Sequence, residues 1–414
     1  MKGSGIRSLT ALYVAAPFSM GYLDFYTFLM PLYALSLGFN AAEVGILVGA
    51  RSIVAMFLSI HIGVLMDRFG TRKLTLFFVW TSMVLAPLFP LVPWFWSLLV
   101  LQLVNGAAVS FAWSGAQTLI AQLAKGEARD LGRFTFFARL GSTTAPMLGG
   151  VVWDFGGTWM SYLIGVVWGG VLIVALLYAP EAEFVAPPHE EGAARAQFRA
   201  RDVWPRLSDY WASLMLLAIP AIALSLAIMA MRNSTYSIQT SVYVVYLKQL
   251  GLVGTTIGML FSAAEIASGF GALFAGRVMG LGNAQRTMLC GTAISILLIA
   301  LTPLLGGILA LLLLFQVIRG WLEGVIQPLV LSVQARAADR HQQGAVVGLR
   351  QTGQRFTSIV VPPIMGIIAD RFGVSASFLI LGGFMLLLCI LVALIIRRIE
   401  RRRSRDEPLA GAID

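Results

Sequence analysis

Long apolar runs recur along this chain, and they restrict its fold more than any other feature. Each run of about 18–25 residues can cross the roughly 30 Å hydrocarbon core of a bilayer as a helix. Only helices and closed barrels satisfy their backbone in lipid, and these runs are too long and too uniformly apolar for barrel strands. Of the 414 residues, 58% are hydrophobic and 12% charged. We therefore predict an all-α polytopic membrane protein.

Twelve transmembrane helices are expected from these runs. Their predicted bounds are 10–36, 43–65, 74–93, 96–124, 132–154, 158–180, 211–247, 253–275, 287–304, 307–334, 345–369 and 375–396. The first run lacks a small-residue cleavage site, so we expect no cleavable signal peptide. Because Cys290 and Cys389 lie within spans, we expect neither a metal site nor another cofactor.

The net charge of +10 is divided unevenly between the two sides of the predicted membrane. One side holds most of the 30 Lys and Arg residues, whereas the other carries only Lys248 and Arg371. Since cytoplasmic segments are rich in Lys and Arg, both termini are expected in the cytoplasm, with the protein in a bacterial inner (plasma) membrane. This asymmetry explains the basic charge without a nucleic-acid partner.

The two halves of the chain repeat each other. LYALSLGFNAAEVGIL at 32–47 aligns with VYLKQLGLVGTTIGML at 245–260. At a nearly constant offset, QLVNG at 102–106 aligns with QVIRG at 316–320. Two homologous bundles with a binding site between them form the plan of an alternating-access transporter.

The only long polar connection separates these halves. We predict a first six-helix bundle over 1–180, a cytoplasmic linker over 181–210, a second six-helix bundle over 211–396 and a basic cytoplasmic tail over 397–414. The two bundles are expected to be pseudo-symmetric.

A motif after the second span, GVLMDRFGTRK, resembles the loop signature G-x-x-x-D-R-x-G-R-R/K of the major facilitator superfamily. Gly63, Asp67, Arg68 and Gly70 match it. Glycine permits a tight turn, and an acid can face a helix N-terminus. The resemblance implies a loop that braces one conformational state, so these four residues are assigned to gating. A simple loop brace is the alternative for Asp67.

The fifth span follows the spacing G-x8-G-x3-[A/G]-P-x2-G-G and ends with Pro146, Gly149 and Gly150. It resembles the antiporter motif of drug:proton exporters in the same superfamily. Small residues allow close helix packing and proline bends a helix. We assign these three residues to gating and expect export, with helix packing as the alternative. Such exporters carry an Arg in the fourth span, where this chain has Asn105, the repeat mate of Arg319.

Ionisable residues lie inside the predicted spans, and arginines outnumber acids among them. A charge at the bilayer centre costs about 2.5–3.5 kcal/mol on insertion scales, so these side chains must face protein or a water-filled cavity. Surplus arginine favours a substrate with carboxylate, phosphate or sulfonate groups. The predicted substrate-binding residues are Arg232, Arg319, Arg51, Asn105, Tyr26, Tyr236 and Trp113.

Three acids are candidates for proton coupling: Asp24, Glu323 and Glu265. Asp24 lies in the aromatic stretch YLDFY, and burial among rings favours the uncharged form of a carboxyl group. A structural hydrogen bond is the alternative for Asp24. Glu323 shares a helix face with Arg319, four residues earlier, so this pair either takes part in the cycle or only neutralises the helix.

The resemblance also pairs span 2 with span 11 and span 5 with span 8 across the bundle interface. Glu265 would then meet Arg139, and we predict a salt bridge that breaks during transport. A permanent packing pair is the alternative. Arg139 and Arg355 are equivalent in the repeat, and both are assigned to gating.

These features predict a proton-coupled secondary transporter with a small-molecule substrate, protons and lipid as partners. The first expectation is export of a small amphiphilic compound, anionic or zwitterionic, by proton antiport. Uptake of an organic anion by proton symport, sodium as the coupling ion, and a receptor or scaffold without flux stay open. The sequence shows no nucleotide-binding P-loop, so we do not expect ATP to drive transport, and it shows no catalytic cluster, so we do not expect an enzyme. We also expect a monomer.

Overall fold

The computed structural model describes residues 2–124, 128–179, 215–279, 283–337 and 343–410. The predicted linker lies outside these residues, and the surroundings of Gly63 and the side chains of Asp67 and Arg68 in the loop motif are not described. The described part consists of helices and short turns and contains no strand.

Twelve transmembrane spans build the fold, as predicted. In the first bundle, span 1 is Lys2–Ser36, span 2 combines Ala41–Ala50 and Ile53–Phe69, span 3 combines Thr71–Leu85 and Leu88–Leu91, span 4 is Phe95–Leu123, and spans 5 and 6 share Ala128–Leu177. In the second bundle, span 7 combines Pro220–Gln239 and Val242–Gln249, span 8 is Gly254–Met279, span 9 is Ala284–Leu301, span 10 is Leu309–Ala337, span 11 is Gln343–Phe372 and span 12 is Val374–Ala410. Short 3₁₀ turns, Leu216–Ala218 and Thr302–Leu305, precede span 7 and follow span 9.

Hydropathy accounts for most of these spans. Within the described residues, eight helical stretches are long and apolar enough to cross a membrane, and one of them, Arg129–Leu177, holds both span 5 and span 6. Gly157 divides that stretch with a positive φ of 64°, which glycine adopts without strain. Spans 1, 7 and 11 are not among these stretches, and span 11 carries Arg350 and Arg355.

Span 2 is interrupted at Arg51 and Ser52, which the sequence predicted as part of one continuous helix. Gly106 of span 4 lies against this interruption. A Cβ on Gly106 would come closer than 3.0 Å to the backbone of Arg51, a separation that real Cβ atoms do not adopt. A residue without a side chain therefore lets span 4 cover the interruption.

Span 7 is interrupted at Thr240 and Ser241, in its polar middle. The Thr240 hydroxyl donates to the carbonyl of Tyr236 at 3.2 Å, and the Ser241 hydroxyl donates to the carbonyl of Ser237 at 2.6 Å. Hydroxyl groups that bond to preceding carbonyls compete with the backbone ladder and bend helices. These two hydroxyl bonds account for the interruption.

Two helix pairs join the bundles. Span 2 packs against span 11, and span 5 packs against span 8, as the family resemblance implied. Inside the first bundle, span 1 packs against spans 5 and 6; inside the second, span 8 packs against span 10. Span 12 continues as a helix to Ala410, so the segment predicted as a separate tail begins inside it.

Candidate functional site

Asp154 holds the bundles together at one end of their interface. It lies at the end of span 5 and accepts hydrogen bonds from the backbone N–H groups of Gly254 at 2.8 Å and Thr255 at 2.6 Å. The Thr255 hydroxyl donates a further bond at 2.7 Å. These N–H groups open span 8 of the other bundle, where free donors and the helix dipole both favour a carboxylate.

Asp370 repeats this arrangement from the second bundle. Its two carboxylate oxygens accept hydrogen bonds from the N–H groups of Ala41 at 3.0 Å and Ala42 at 3.1 Å, at the start of span 2. Each bundle therefore caps a helix of the other, and we call this side of the protein the Asp154/Asp370 end.

Glycines let the two backbones touch beside these caps. A Cβ on Gly45 of span 2 would come closer than 3.0 Å to the carbonyl oxygen of Pro362 in span 11. A Cβ on Gly258 of span 8 would meet the carbonyl oxygen of Pro146 in the same way, and Gly150 is as close to span 8. A side chain at any of these glycines would push the bundles apart.

The antiporter-motif residues therefore have different neighbours. Pro146 and Gly150 lie in the interface between the bundles, whereas Gly149 faces Phe28 of span 1. The motif's role in gating stays a prediction.

Arg139 joins three helices further along the interface. Its Nη1 lies 2.9 Å from Oε2 of Glu265, and its Nη2 donates to Gln327 of span 10 at 3.2 Å. The predicted contact between spans 5 and 8 is thus present. The two charged side chains stay 32% and 25% exposed, so solvent screens part of their attraction.

Arg319 is almost fully buried inside the second bundle, with 2% of its surface exposed. It donates to Gln316 at 2.8 Å, to Gln239 at 3.3 Å and to the carbonyl of Thr235 at 3.5 Å. Glu323 lies 3.9 Å away on the next turn. Arg319 therefore ties span 10 to span 7 just before the interruption of span 7.

Asp24 lies half-buried on span 1, beside Ser142 of span 5. The cations whose charge acts on it are Arg51 of span 2 and Arg139. Tyr236 of span 7 is within electrostatic range of Asp24 and Arg51. Groups from both bundles thus lie close enough to act on one another electrostatically in this region.

Arg232 belongs to this region as well. Glu323, Arg139 and Glu265 are the charged groups that act on it, and its Nε has no hydrogen-bond partner although it is buried. The structure brings together predicted residues that we call the central cluster: Asp24, Arg51, Arg139, Arg232, Tyr236, Glu265 and Glu323.

Other predicted residues lie outside the central cluster. Asn105 is fully buried inside the first bundle and accepts a hydrogen bond from Ser82 at 2.5 Å. Trp113 stacks on Phe134 with the ring centroids 5.9 Å apart. Tyr26 packs in an aromatic group of the same bundle. Their part in substrate binding stays a prediction.

Two cavities lie at opposite ends of the interface. One of about 630 Å³ lies at the Asp154/Asp370 end and is lined by Phe39, Trp153 and Lys248. The other, of about 520 Å³, lies between spans 2, 4 and 11 and includes Gln117 and Gln351. Among the described residues, no group of three or more His, Cys, Asp or Glu side chains could hold a metal ion.

The amide partners of the buried charges were not predicted from the sequence. Gln239 and Gln316 bind Arg319, and Gln327 binds Arg139. The repeat could have pointed to Gln316, because it aligns with Gln102 of the first half, and both side chains are buried.

Two six-helix bundles that enclose a charged space define a secondary membrane transporter. The model of the Major Facilitator Superfamily matches residues 10–244 and 224–412. The chain belongs to this superfamily and is a transporter rather than an enzyme.

A curated relative, the "uncharacterized MFS-type transporter YuxJ" of Bacillus subtilis (strain 168), is 26% identical over 356 residues, which cover 83% of this chain and 86% of that protein. The nucleoside transporter NupG superposes with a TM-score of 0.74 at 14% identity, covering 94% of this chain and 98% of NupG.

A bacterial homologue of the human lysosomal transporter Spinster, in an inward-facing and unoccupied conformation, gives a TM-score of 0.70 at 14% identity and covers 95% of this chain and 96% of the homologue. A POT family transporter in complex with a thioalcohol-conjugated peptide gives 0.71 at 13% identity and covers 95% of this chain and 96% of that one. At sequence identities of 13–14%, these similarities show a shared fold.

Proposed function

We propose that this protein is a proton-coupled transporter that exports a small amphiphilic organic compound, anionic or zwitterionic, by proton antiport. The observation that carries the proposal is the central cluster, where Arg51, Arg139 and Arg232 face the acids Asp24 and Glu265. Intramembrane ionisable groups around a cavity mark substrate and proton pathways. Glu323 is a further proton candidate, beside Arg319.

Arginine side chains are suited to the anionic part of such a substrate, because a guanidinium group binds carboxylate or phosphate through two parallel hydrogen bonds. Tyr236 offers a ring beside these charges, and aromatic faces suit the apolar part of an amphiphile. Binding between the bundles allows the substrate to be released on either side as they rock.

Antiport requires that the proton and the substrate exclude each other. An ammonium group of a zwitterion, placed against the charged form of Asp24, would produce this exclusion because protonation of Asp24 removes its partner. Antiport of a zwitterion therefore uses both signs of charge in the central cluster. The antiporter motif in span 5 supports the same direction.

The charge distribution also supports an orientation. Lys248 lies at the Asp154/Asp370 end and Arg371 follows Asp370, and this side carries few other cations. By the positive-inside rule we assign this end to the outside and both termini to the cytoplasm. The cavity beside Gln117 and Gln351 then faces the cytoplasm, and the conformation described here is closed on the outside.

Uptake by symport is the second candidate, and the surplus of arginine favours it. If the substrate carries only negative charge, protonation of Asp24 frees Arg51 and Arg139 to bind it. Proton and substrate then assist each other. The charge of the substrate thus determines the sign of the coupling.

Proteoliposomes with a trapped pH-sensitive dye test these alternatives. A pH gradient is imposed, and organic anions, zwitterions and lipophilic cations are added in turn. We expect zwitterions to drive protons opposite to their own flux. If protons move in the same direction as an organic anion, the transport is symport. If only lipophilic cations are transported, the inference that the arginines bind an anionic group of the substrate is wrong. Proton movement with no compound, despite binding, would point to a receptor or scaffold.

A matched pair of acids controls this experiment. Asp24→Asn removes one of the three acids of the central cluster, whereas Asp130→Asn removes an acid that pairs with Arg133 on the same helix and with Tyr13 of span 1. We expect only Asp24→Asn to change proton coupling.

A further inference from the structure

The cavity of about 630 Å³ at the Asp154/Asp370 end has walls from both bundles, and we call it the end cavity. The first bundle contributes Phe39 and Trp153 to its lining, and the second contributes Lys248 and Asp370. Its volume lies within the range of about 300–1,000 Å³ that is usual for small-molecule sites, which combine apolar walls with a few polar groups. No residue of the central cluster lines it, so it is a separate candidate site.

Equivalent positions of the two repeats line the end cavity, but they carry different side chains. Leu35 of the first bundle aligns with Lys248 of the second, and Trp153 aligns with Ala369. The end cavity therefore lies across the pseudo-symmetric contact of the bundles. Its cation comes from the second bundle, and its indole ring comes from the first.

The acids at this end already bind helix starts. Asp154 and Asp370 accept hydrogen bonds from backbone N–H groups of the opposite bundle. Glu43 accepts one from the N–H group of Asn40 at 2.9 Å. At a helix start, free N–H groups and the helix dipole offset the charge of a carboxylate. These three acids are thus compensated by main chain.

Lys248 lacks a comparable partner. In the part of the chain that the structure describes, its ammonium group makes no hydrogen bond and no ion pair. Its charge acts on Asp154 through space, but that carboxylate is bound to the start of span 8. An ammonium group has three donors and no acceptor, and this side chain is half-buried in the lining of the end cavity. Lys248 can therefore bind an anionic group that enters the cavity.

Aromatic neighbours hold the two rings of the end cavity in place. Phe39 packs edge-on against Phe95 with the ring centroids 5.9 Å apart, and Trp153 packs edge-on against Tyr33 at 6.4 Å. Both Phe39 and Trp153 are only half-buried. A fixed, partly exposed ring suits the apolar part of a ligand because aromatic side chains contribute large apolar surfaces.

We propose that the end cavity binds a small amphiphilic organic anion, with its anionic group on Lys248 and its ring or apolar body against Phe39 and Trp153. Asp370 lines the same cavity and repels a second negative charge, so the ligand class is a monoanion such as an aromatic monocarboxylate. This site is additional to the central cluster, and it requires neither proton coupling nor a particular direction of transport.

Such a ligand would also regulate the transporter. Its anionic group would be held by the second bundle and its apolar body by the first, so separation of the bundles would remove one of the two contacts. A ligand that binds one conformation more tightly shifts the population toward it. Occupancy of the end cavity should therefore keep this end closed and inhibit transport.

Binding to the full-length protein in phosphatidylcholine nanodiscs, which leave both faces accessible, tests the proposal. The probes are 4-phenylbutyrate, its primary amide, 4-phenylbutylamine and butyrate, at one ionic strength. We expect 4-phenylbutyrate to bind most tightly, because only this probe carries both the anionic group and the ring. Equal affinity of the amide, or tighter binding of the amine, would overturn the proposal. Tighter binding of the dianion 3-phenylglutarate would also overturn it.

Variants at Lys248 test the contact with the anionic group. Lys248→Gln should weaken 4-phenylbutyrate by about three- to tenfold, the value of a charge-assisted contact that is partly screened, and leave the amide unchanged. Lys248→Arg should retain the preference for the anion. Arg371→Gln is the matched control, since it removes an exposed cation at the same end that does not line the cavity. An equal loss in Arg371→Gln would refute a specific contact.

Variants at the rings test the contact with the apolar body. Trp153→Ala should weaken 4-phenylbutyrate and leave butyrate unchanged, whereas Trp96→Ala, which removes an indole that is 74% exposed at the same end, should change neither. If Trp153→Ala does not yield folded protein, Phe39→Leu takes its place. Binding of 4-phenylbutyrate that persists in both the lysine and the ring variants would indicate partition into lipid and refute the site.

Spin labels test the regulatory consequence. Leu91→Cys and Leu304→Cys place one exposed label on each bundle at this end, in a chain that lacks the exposed Cys290. The Asp154→Ala background removes one cap without changing the lining of the end cavity. At ten times its Kd, a ligand specific for the closed state should raise the ratio of closed to open molecules about elevenfold. An unchanged ratio would refute closure by the ligand.

Phosphatidylglycerol nanodiscs separate a small organic anion from an anionic lipid. We expect 4-phenylbutyrate to bind with similar affinity in phosphatidylglycerol and in phosphatidylcholine. If phosphatidylglycerol abolishes its binding and alone closes the labelled end in a manner that Lys248→Gln removes, a lipid headgroup occupies the end cavity and the proposal is wrong.

Discussion

Asp154 and Asp370 occupy equivalent positions in the two repeats, and each carboxylate binds backbone N–H groups at the start of a helix in the opposite bundle. These contacts use a charged side chain on one side and main chain on the other, and the Thr255 hydroxyl adds one side-chain contact to Asp154. The backbone contacts depend on the position of the helix start. The two aspartates therefore hold this end closed mainly through the main chain of the opposite bundle.

Removal of one cap should open this end. Asp370→Ala should weaken the closed state by about 0.5–2 kcal/mol, the usual value of a helix N-cap, which shifts the equilibrium about 2- to 30-fold. Asp370→Asn should shift it less because the amide oxygen still accepts a hydrogen bond. Spin labels at Leu91→Cys and Leu304→Cys, which are 55% and 69% exposed, report the separation of the bundles at this end.

A control variant for the two caps can be measured with the same spin labels. Asp130→Ala removes an acid of the first bundle that contacts Arg133 and Tyr13, and it should leave the distance distribution unchanged. An unchanged distribution in Asp370→Ala and Asp154→Ala alike would show that the caps do not hold this end.

Glycine packing at the interface gives a second prediction. Gly258→Ala places a methyl group against the carbonyl of Pro146, and we expect a loss of about 1–3 kcal/mol, as for other overpacked sites. Gly269→Ala on the same helix meets no atom within 4 Å, so it should be neutral or stabilising by up to about 1 kcal/mol through helix propensity. Thermal unfolding in detergent measures both; equal melting temperatures would contradict the prediction.

The overall architecture could be predicted because two features of the amino-acid sequence report it directly. Run length and hydropathy gave the spans, and the repeat gave two equivalent bundles. The contact between Arg139 and Glu265 also followed, because the family resemblance pairs span 5 with span 8 and these two residues carry opposite charges.

The interruptions in spans 2 and 7 could not be obtained in the same way. At Arg51, the surrounding residues read as an ordinary apolar helix, and the interruption is accommodated by Gly106 from another span. In span 7, polarity was visible, but the hydroxyl of Ser241 could have faced a cavity as easily as its own backbone. The caps of Asp154 and Asp370 depend on helix starts in the opposite bundle, which hydropathy does not locate.

The ion pair between Arg139 and Glu265 gives a third prediction. A double-mutant cycle with Arg139→Gln and Glu265→Gln should yield a coupling free energy toward the low end of about 0.5–3 kcal/mol, because both side chains are partly exposed. The spin-label distances of the single variants should shift toward separated bundles. The charge swap Arg139→Glu with Glu265→Arg should restore part of the closed population, and strict additivity would rule out a functional bridge.

Arg319 should be more important for stability than its distance from Glu323 suggests. Arg319→Met leaves Gln239 and Gln316 without their donor and removes the cation that lies 3.9 Å from Glu323. We expect a loss of about 3–5 kcal/mol, as when one partner of a buried pair is removed. Glu323→Gln in the same background should recover part of it in thermal unfolding. No recovery would mean that the amide contacts carry the stability and that Glu323 is free for another role.

The role of Glu323 leads to the last prediction, which concerns the proton carrier. The charges of Arg51 and Arg139 act on Asp24, whereas Glu323 lies beside the buried Arg319. We therefore expect Asp24→Asn to retain substrate exchange across proteoliposomes while losing accumulation driven by a pH gradient. Glu323→Gln should lower stability and leave the ratio of protons to substrate intact.

Substrate exchange without a pH gradient shows whether both variants are correctly folded. Asp24→Glu should restore part of the accumulation, since it keeps a titratable group at the same position. Accumulation that persists in Asp24→Asn but disappears in Glu323→Gln would assign the proton to the second bundle. In that case Asp24 serves only to balance Arg51 and Arg139, because an acid that can be neutralised without consequence for coupling cannot be the group that carries the proton.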